Sequence, residues 1–227
     1  MRQIGLIRPE DIPPITIVGA GSAGTGIAVV ATKLGVNDMT IWDADEVAVH
    51  NISNQYFKGD SIGMKKVDAL KEEIERLSPI GFMPMITTHD KFLEESDSVN
   101  TPIVFMCVDG MENRRRVMDV LIRSQHPEWA IDSRMSGEYL ELRTVKLHQP
   151  SEVEEYYKSL EGETREEPCS ARSVIYTIMN MSSRATYYLK CIVKNKPVPL
   201  IYTENLGDDR IPPYHRWRAG EKPMERM

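Results

Sequence analysis

Apolar positions along the chain fall into two kinds of block. Short continuous runs occur at residues 15–18 (ITIV), 39–42 (MTIW), 103–107 (IVFMC) and 129–132 (WAID). Such runs between turn residues predict buried strands of a parallel sheet. Residues 82–87 carry a weaker strand signal. Between the runs, apolar residues recur at helical spacing. The spacing predicts a helix from Ser22 to Leu34, stopped by Gly35, and another from Ser61 to Leu77, where Ile62, Val67, Leu70, Ile74 and Leu77 share one face. It also predicts a helix over 112–124 and a long one over 170–194. Residues 138–147 (EYLELRTVKL) alternate for much of their length, which predicts an antiparallel edge or hairpin. Residues 150–168 are acidic and poor in apolar side chains and read as a mobile crossover. The last thirty or so residues carry Pro197, Pro199, Pro212, Pro213 and Pro223 and read as loosely structured. The expected architecture is therefore α/β: a doubly wound, mostly parallel, Rossmann-like sheet with helices on both faces, a crossover loop and a C-terminal helix. It would occupy residues 1–195, with 196–227 as a proline-rich tail.

Composition narrows the function classes. A length of 227 residues and 41% hydrophobic content suffice for one ordinary core. The net charge of −6 argues against a nucleic-acid partner, which needs a concentrated basic face. No apolar run approaches the roughly 20 residues that span a bilayer, and the N-terminal stretch has charges and prolines where a signal peptide would be apolar. No membrane association and a cytoplasmic location are expected. Three widely spaced cysteines, Cys107, Cys169 and Cys191, make neither a disulfide framework nor a thiolate zinc site. Cys107 in an apolar strand and Cys191 on an amphipathic helix read as core.

The candidate chemistry begins at Gly19, Gly21 and Gly24, a G-x-G-x-x-G between a predicted strand and helix. Such glycines let the backbone turn tightly and approach phosphate at a helix N-terminus. Asp43 ends the second strand, where a carboxylate accepts hydrogen bonds from ribose hydroxyls. Both features serve NAD-dependent hydride transfer and ATP chemistry alike. The chain continues with Asp45, Asn51, Asn54, Gln55 and then Lys65 and Lys66. A second carboxylate, side-chain amides and a lysine suit a triphosphate with its metal better than a nicotinamide ring.

Taken together, DADEV, HNISNQYF, IGMKK and CVDGMENR resemble the ThiF/MoeB adenylyltransferases, relatives of the ubiquitin-activating enzymes. That family reads G-x-G-x-x-G, D-x-D-x-V, N-L-x-R-Q, G-x-x-K, and an aspartate after a central strand followed by an arginine. Here those positions are Gly19/Gly21/Gly24, Asp43/Asp45/Val47, Asn51/Ile52/Gln55, Gly63/Lys66 and Asp109/Arg114. The resemblance runs from about residue 15 to 195. It implies an ATP-binding adenylyltransferase domain in which Asp43 holds the ribose, Lys66 a phosphate and Asp109 the Mg²⁺. The implied substrate is the C-terminal carboxylate of a small ubiquitin-like protein or peptide, and the implied assembly a homodimer. One departure stands out: where the family's N-L-x-R-Q has arginine, this chain has Asn54. The family often borrows an arginine from a partner's N-terminal segment, a role open to Arg2 or Arg8.

The stretch EEPCSARSVIYTIMNMSSRATYYLK, with Cys169, resembles that in short single-domain activating enzymes where a thioester-forming cysteine ends the crossover and opens a long helix. A helix N-terminus lowers a cysteine pKa from about 8.5; a capping residue without chemistry would look the same in sequence. Three functional readings follow. The first is ATP-dependent adenylylation, with possible capture of the product on Cys169. The second is a nucleotide-binding scaffold subunit, which Asn54 favours. The third, an NAD-dependent oxidoreductase, is disfavoured by the polar loop after Asp43.

Overall fold

The computed structural model describes residues 5–161 and 174–221. Eight strands form one sheet in the order β3-β2-β1-β4-β5-β6-β7-β8. The parallel half contains β1 (Ile15–Val18), β2 (Asp38–Trp42), β3 (Met85–His89) and β4 (Ile103–Met106), and β5 (Trp129–Ser136) joins it in parallel beside β4. β6 (Tyr139–Lys146), β7 (Ile201–Asn205) and β8 (Tyr214–Arg216) continue the sheet antiparallel. The doubly wound α/β class expected from the sequence is the one observed.

Helices α1 (Ser22–Leu34), α2 (Lys66–Leu77) and α5 (Ile175–Val193) pack on one face. There Ile15, Ile17, Met39, Ile41, Ile103 and Phe105 meet Ile27, Leu70, Ile74, Met181 and Leu189 in one buried cluster. Each such side chain contributes about 1.5–3 kcal/mol by leaving water. On the opposite face α3 (Met111–Ser124) and α4 (Pro150–Lys158) cover β4 to β6 through Val104, Met106, Met118, Leu121, Ala130, Val145 and Tyr156. Cys107 and Cys191 are buried, as expected, and burial pushes the Cys107 thiol up to about 12. Among the described residues no helix is long and apolar enough to cross a membrane.

Several boundaries differ from expectation. α1 spans Ser22–Leu34, with Gly35 in the left-handed conformation as its cap. α2, however, begins at Lys66 rather than Ser61. The backbone of 63–66 is hydrogen-bonded to Asp45 and Val47 instead of to a helix, Gly63 has a φ of +87°, and Ile62 is exposed. β5 runs on to Ser136 because β6 pairs with it along its whole length. β6 is a hairpin strand but not an edge, since β7 flanks its other side. The acidic stretch read as a mobile crossover folds over 150–158 into α4, started by Pro150 and anchored by buried Tyr156. The last part of that stretch, 162–168, lies outside the described residues. The tail read as loose supplies β7 and β8. Pro197, Pro199, Pro212 and Pro213 sit just outside these strands, where no ladder N–H is lost.

Candidate active site

The turn after β1 is shaped by contacts that leave no room for side chains. Gly19 has a φ of +99°, and a Cβ there would lie 2.5 Å from the Cys107 carbonyl oxygen. A Cβ on Gly24 would lie 1.8 Å from the Gly19 carbonyl. At Gly21 the situation is reversed, since a Cβ would meet nothing within 4 Å. Gly21 also caps α1 without any side-chain hydrogen bond, and the first helical turn carries no acidic residue. The helix start therefore carries no acidic side chain of its own and has open space at Gly21, which suits an anion.

Asp43 fastens this turn to the end of β2. Its Oδ2 accepts the Ala20 N–H at 2.6 Å and its Oδ1 accepts the Asp45 N–H at 2.8 Å. Each carboxylate oxygen can accept a second hydrogen bond, so capacity remains for two ligand hydroxyls. Burial raises the Asp43 pKa, and that effect outweighs the two backbone hydrogen bonds and nearby Lys66. Lys66, first residue of α2, places its Nζ 2.7 Å from Asp45 Oδ2 and 4.0 Å from Asp43 Oδ1. The Lys66 side chain is 9% exposed, whereas that of Asp45 is 59% exposed. A buried ammonium thus reaches a solvated partner, which a phosphate could replace.

The loop between them is sewn to α1. The Tyr56 N–H donates to Thr25 Oγ1 at 3.3 Å, in the first turn of the helix. Asn51 is buried and uses its Oδ1 to accept the Ala48 N–H at 2.8 Å, so its amide shapes the loop. The Asn51 carbonyl accepts the N–H groups of Asn54 and Gln55. Gln55 Oε1 is buried without a hydrogen-bond partner among the described residues. An orphaned acceptor calls for a donor, which a ligand hydroxyl or amine could supply.

Asp109 follows β4, whose chain continues past Cys107 beside Gly19. It is exposed, and its carbonyl accepts the Asn113 amide at 2.9 Å, which sets the turn into α3. Its carboxylate has no hydrogen bond or ion pair among the described residues. Among the described residues no group of three or more His, Cys, Asp or Glu side chains is clustered to cage a metal. That donor set fits Mg²⁺, which keeps waters and shares one carboxylate with substrate phosphates. Cys169 lies outside the described residues.

Arg114 behaves differently from its motif neighbours. It is buried, donates to the Asp132 carboxylate and, at 3.1 Å, to the Ser133 carbonyl. Asp132 Oδ2 also accepts Arg134 Nε at 2.7 Å and the Tyr156 hydroxyl at 3.0 Å. Burial opposes ionisation of Asp132, yet Arg114 and Arg134 together hold its pKa below the usual carboxylate range. Sequence reasoning missed this hub. Its trace is an aspartate closing the apolar run WAID with Arg134 two residues on; Arg114 and Tyr156 lie 18 and 24 positions away.

The model of the ThiF family matches residues 13–207. The chain is 26% identical over 115 residues to ubiquitin-like modifier-activating enzyme 5 of Bombyx mori, a match covering 45% of this chain and 29% of that protein. It therefore spans less than a third of that relative's length. Among solved structures, Escherichia coli MccB with ATP superposes with a TM-score of 0.69 at 12% identity, covering 92% of this chain and 66% of that one. The E. coli tRNA N6-threonylcarbamoyladenosine dehydratase TcdA gives 0.63 at 16% identity, with 86% and 90% covered. At such identity both likenesses speak to the fold.

Proposed function

The chain belongs to the ThiF family, and from that premise we propose that it uses ATP and Mg²⁺ to adenylylate the C-terminal carboxylate of a small ubiquitin-like protein or peptide. The observation that carries this reading is the Lys66 ammonium, buried beside Asp43, which itself holds the glycine turn through Ala20, and paired with the solvated Asp45.

In this reading the triphosphate lies on the start of α1, with Gly21 leaving room for it. Asp43 accepts hydrogen bonds from the ribose hydroxyls while holding the turn through Ala20. Lys66 exchanges Asp45 for a phosphoryl oxygen. Asp109 is the residue that would hold Mg²⁺, which supplies charge neutralisation at the phosphates. The substrate carboxylate attacks the α-phosphorus; a carboxyl O–P bond forms as the bond to the departing pyrophosphate breaks. A carboxylate is already ionised, so no strong base is required. Positioning and charge neutralisation do the catalysis. The name of the Bombyx mori relative and the ATP bound to MccB support this assignment.

Capture of the acyl-adenylate on Cys169 belongs to the same proposal. The thiolate attacks the acyl carbon and AMP leaves, giving a thioester. A non-reducing gel tests it: the adduct is expected with wild type, is cleaved by added thiol, and is absent in Cys169→Ala. Adenylate formation should survive that substitution. Unchanged products in Cys169→Ala would make the cysteine a capping residue. A homodimer in the cytoplasm completes the proposal; Tyr176, Met179 and Tyr187 are half-exposed on α5, whereas Met181 is in the core.

The whole reading is tested by isotope exchange between pyrophosphate and ATP, with candidate carboxylate proteins added singly. Exchange that depends on the added protein is the expected result. A second reading, a scaffold subunit that binds nucleotide without turning it over, is favoured by Asn54 standing where the family has arginine. ATP binding with no exchange for any partner would select it.

A further inference from the structure

The two halves of the sheet present different side chains to the face opposite α1 and α2. One row runs across the strands by register as Thr87, Thr40, Thr16, Val104, Ala130 and Val145. The Val-Ala-Val half lies in the core cluster with α3. The threonine half has no helix over it, because the β3-to-β4 crossover, residues 90–102, contains none. A cavity of about 460 Å³ lies there, walled by these three threonines, by Trp42 and His89 and by residues 96–101. That volume is in the range of small-molecule sites.

The lining defines what could enter. Thr16 and Thr101 hydrogen-bond each other at 2.7 Å. Among the described residues the side chains of Thr40, Thr87, Ser96, Ser98 and Asn100 make no hydrogen bond to protein. No lysine or arginine lines the cavity; His89 does, stacked on Trp42, and burial with nearby Lys91 lowers its pKa, so the ring is neutral at neutral pH and nothing there favours an anion. Its one carboxylate, Asp97, is engaged by Lys91 at 2.5 Å and by the Glu94 N–H at 3.0 Å, so nothing there favours a cation. A polar row also disfavours an apolar helix as the missing cover. Threonine hydroxyls on neighbouring strands stand ~4.8 Å apart on stiff β-branched side chains, a fixed set of groups that both donate and accept.

We infer that this cavity is a binding site for a neutral, polyhydroxylated small molecule: a monosaccharide, or the sugar of an uncharged nucleoside. It is separate from the phosphate-facing turn, although Trp42 immediately precedes Asp43 in the chain.

Nitrogen–proton correlation spectra of the full chain test this. Trp42 Nε1 is buried and has no acceptor, so its cross peak, assigned with Trp42→Phe, reports on the cavity wall. D-Glucose, D-ribose, adenosine and inorganic phosphate are titrated separately. The expected result is a saturable shift of this peak with at least one of the first three, while the Ala20 and Gly21 amides stay still. Glucose or ribose acting alone identifies a free sugar as the source; adenosine acting alone identifies a nucleoside. Thr40→Val with Thr87→Val should weaken that binding by at least about tenfold, the loss of one or two neutral hydrogen bonds, with an unchanged melting temperature. The inference is overturned by no shift with any probe, or by an equal response to phosphate. It is also overturned if adenosine moves the indole and the glycine-turn amides together and ATP competes with it.

Discussion

Two charged clusters lie along the same sheet. At the β1–β2 end Lys66 pairs with Asp45, a carboxylate mostly in water, and with Asp43, which already accepts two backbone N–H groups. Around Asp132, two arginines and a tyrosine converge on one fully buried carboxylate. The ion-pair chemistry is similar and the consequence opposite. A pair with one solvated partner contributes only about 0–1 kcal/mol and exchanges partners readily. A dry, fully bonded cluster cannot lose a member without stranding a buried charge. The first cluster is built to receive a ligand, and the second holds β5, α3 and α4 in register beside it.

The largest contrast should appear in stability. Asp132→Ala is expected to cost roughly 3–5 kcal/mol, because it leaves the buried Arg114 guanidinium without its carboxylate, while Arg134 keeps Glu141. Urea denaturation measures this, and a loss under about 1 kcal/mol would remove the hub from the account. Next in size, Lys66→Ala and Asp109→Ala should each cut pyrophosphate exchange by at least about tenfold, roughly 1.4 kcal/mol of transition-state stabilisation, with little change in melting temperature. Wild-type exchange in either variant excludes that residue from the site. Asn54→Arg should lower exchange more modestly, because a long cation has to enter a loop already closed by the Asn51 carbonyl. A rise from an inactive wild type would instead favour the scaffold reading.

The smallest effect is a pair of opposite pH dependences. The native pKa of Asp132 is below its unfolded value of about 3.9. Its stabilisation is therefore complete above that pH and is lost as pH falls through the native value. Asp43 has a raised native pKa, so its ionisation weakens the fold at neutral pH and the penalty fades as pH falls through that value towards about 3.9. Wild type should lose stability relative to Asp132→Asn in acid and gain it relative to Asp43→Asn. Denaturation midpoints across the acid range check both signs, and parallel trends would break the distinction.

What the sequence disclosed follows the range of the forces involved. The strand–turn–helix from Ile15 to Gly35 was legible because its signals are local: a β-branched run, close-approach glycines and a left-handed cap. The Asp43–Lys66 constellation was legible through motif order, though not that Asn51 shapes the loop. The start of α2 was misread because pairing of residues 63–66 with Asp45 and Val47 overrides helical spacing. Strands β7 and β8 were hidden by flanking prolines, and their pairing partners lie far away in the chain. The Asp132 hub was hidden in part for the same reason: Arg134 is two residues away, but Arg114 and Tyr156 are 18 and 24 positions distant.

Calorimetric titration of wild type and Lys66→Ala with ATP–Mg²⁺ and with NAD tests the claim that the solvated cluster is the nucleotide site. The account predicts ATP binding by wild type, at least about tenfold weaker in Lys66→Ala, equivalent to ~1.4 kcal/mol, and little heat from NAD. Equal ATP affinity in the two proteins, or tight NAD binding with no response to ATP, would contradict it.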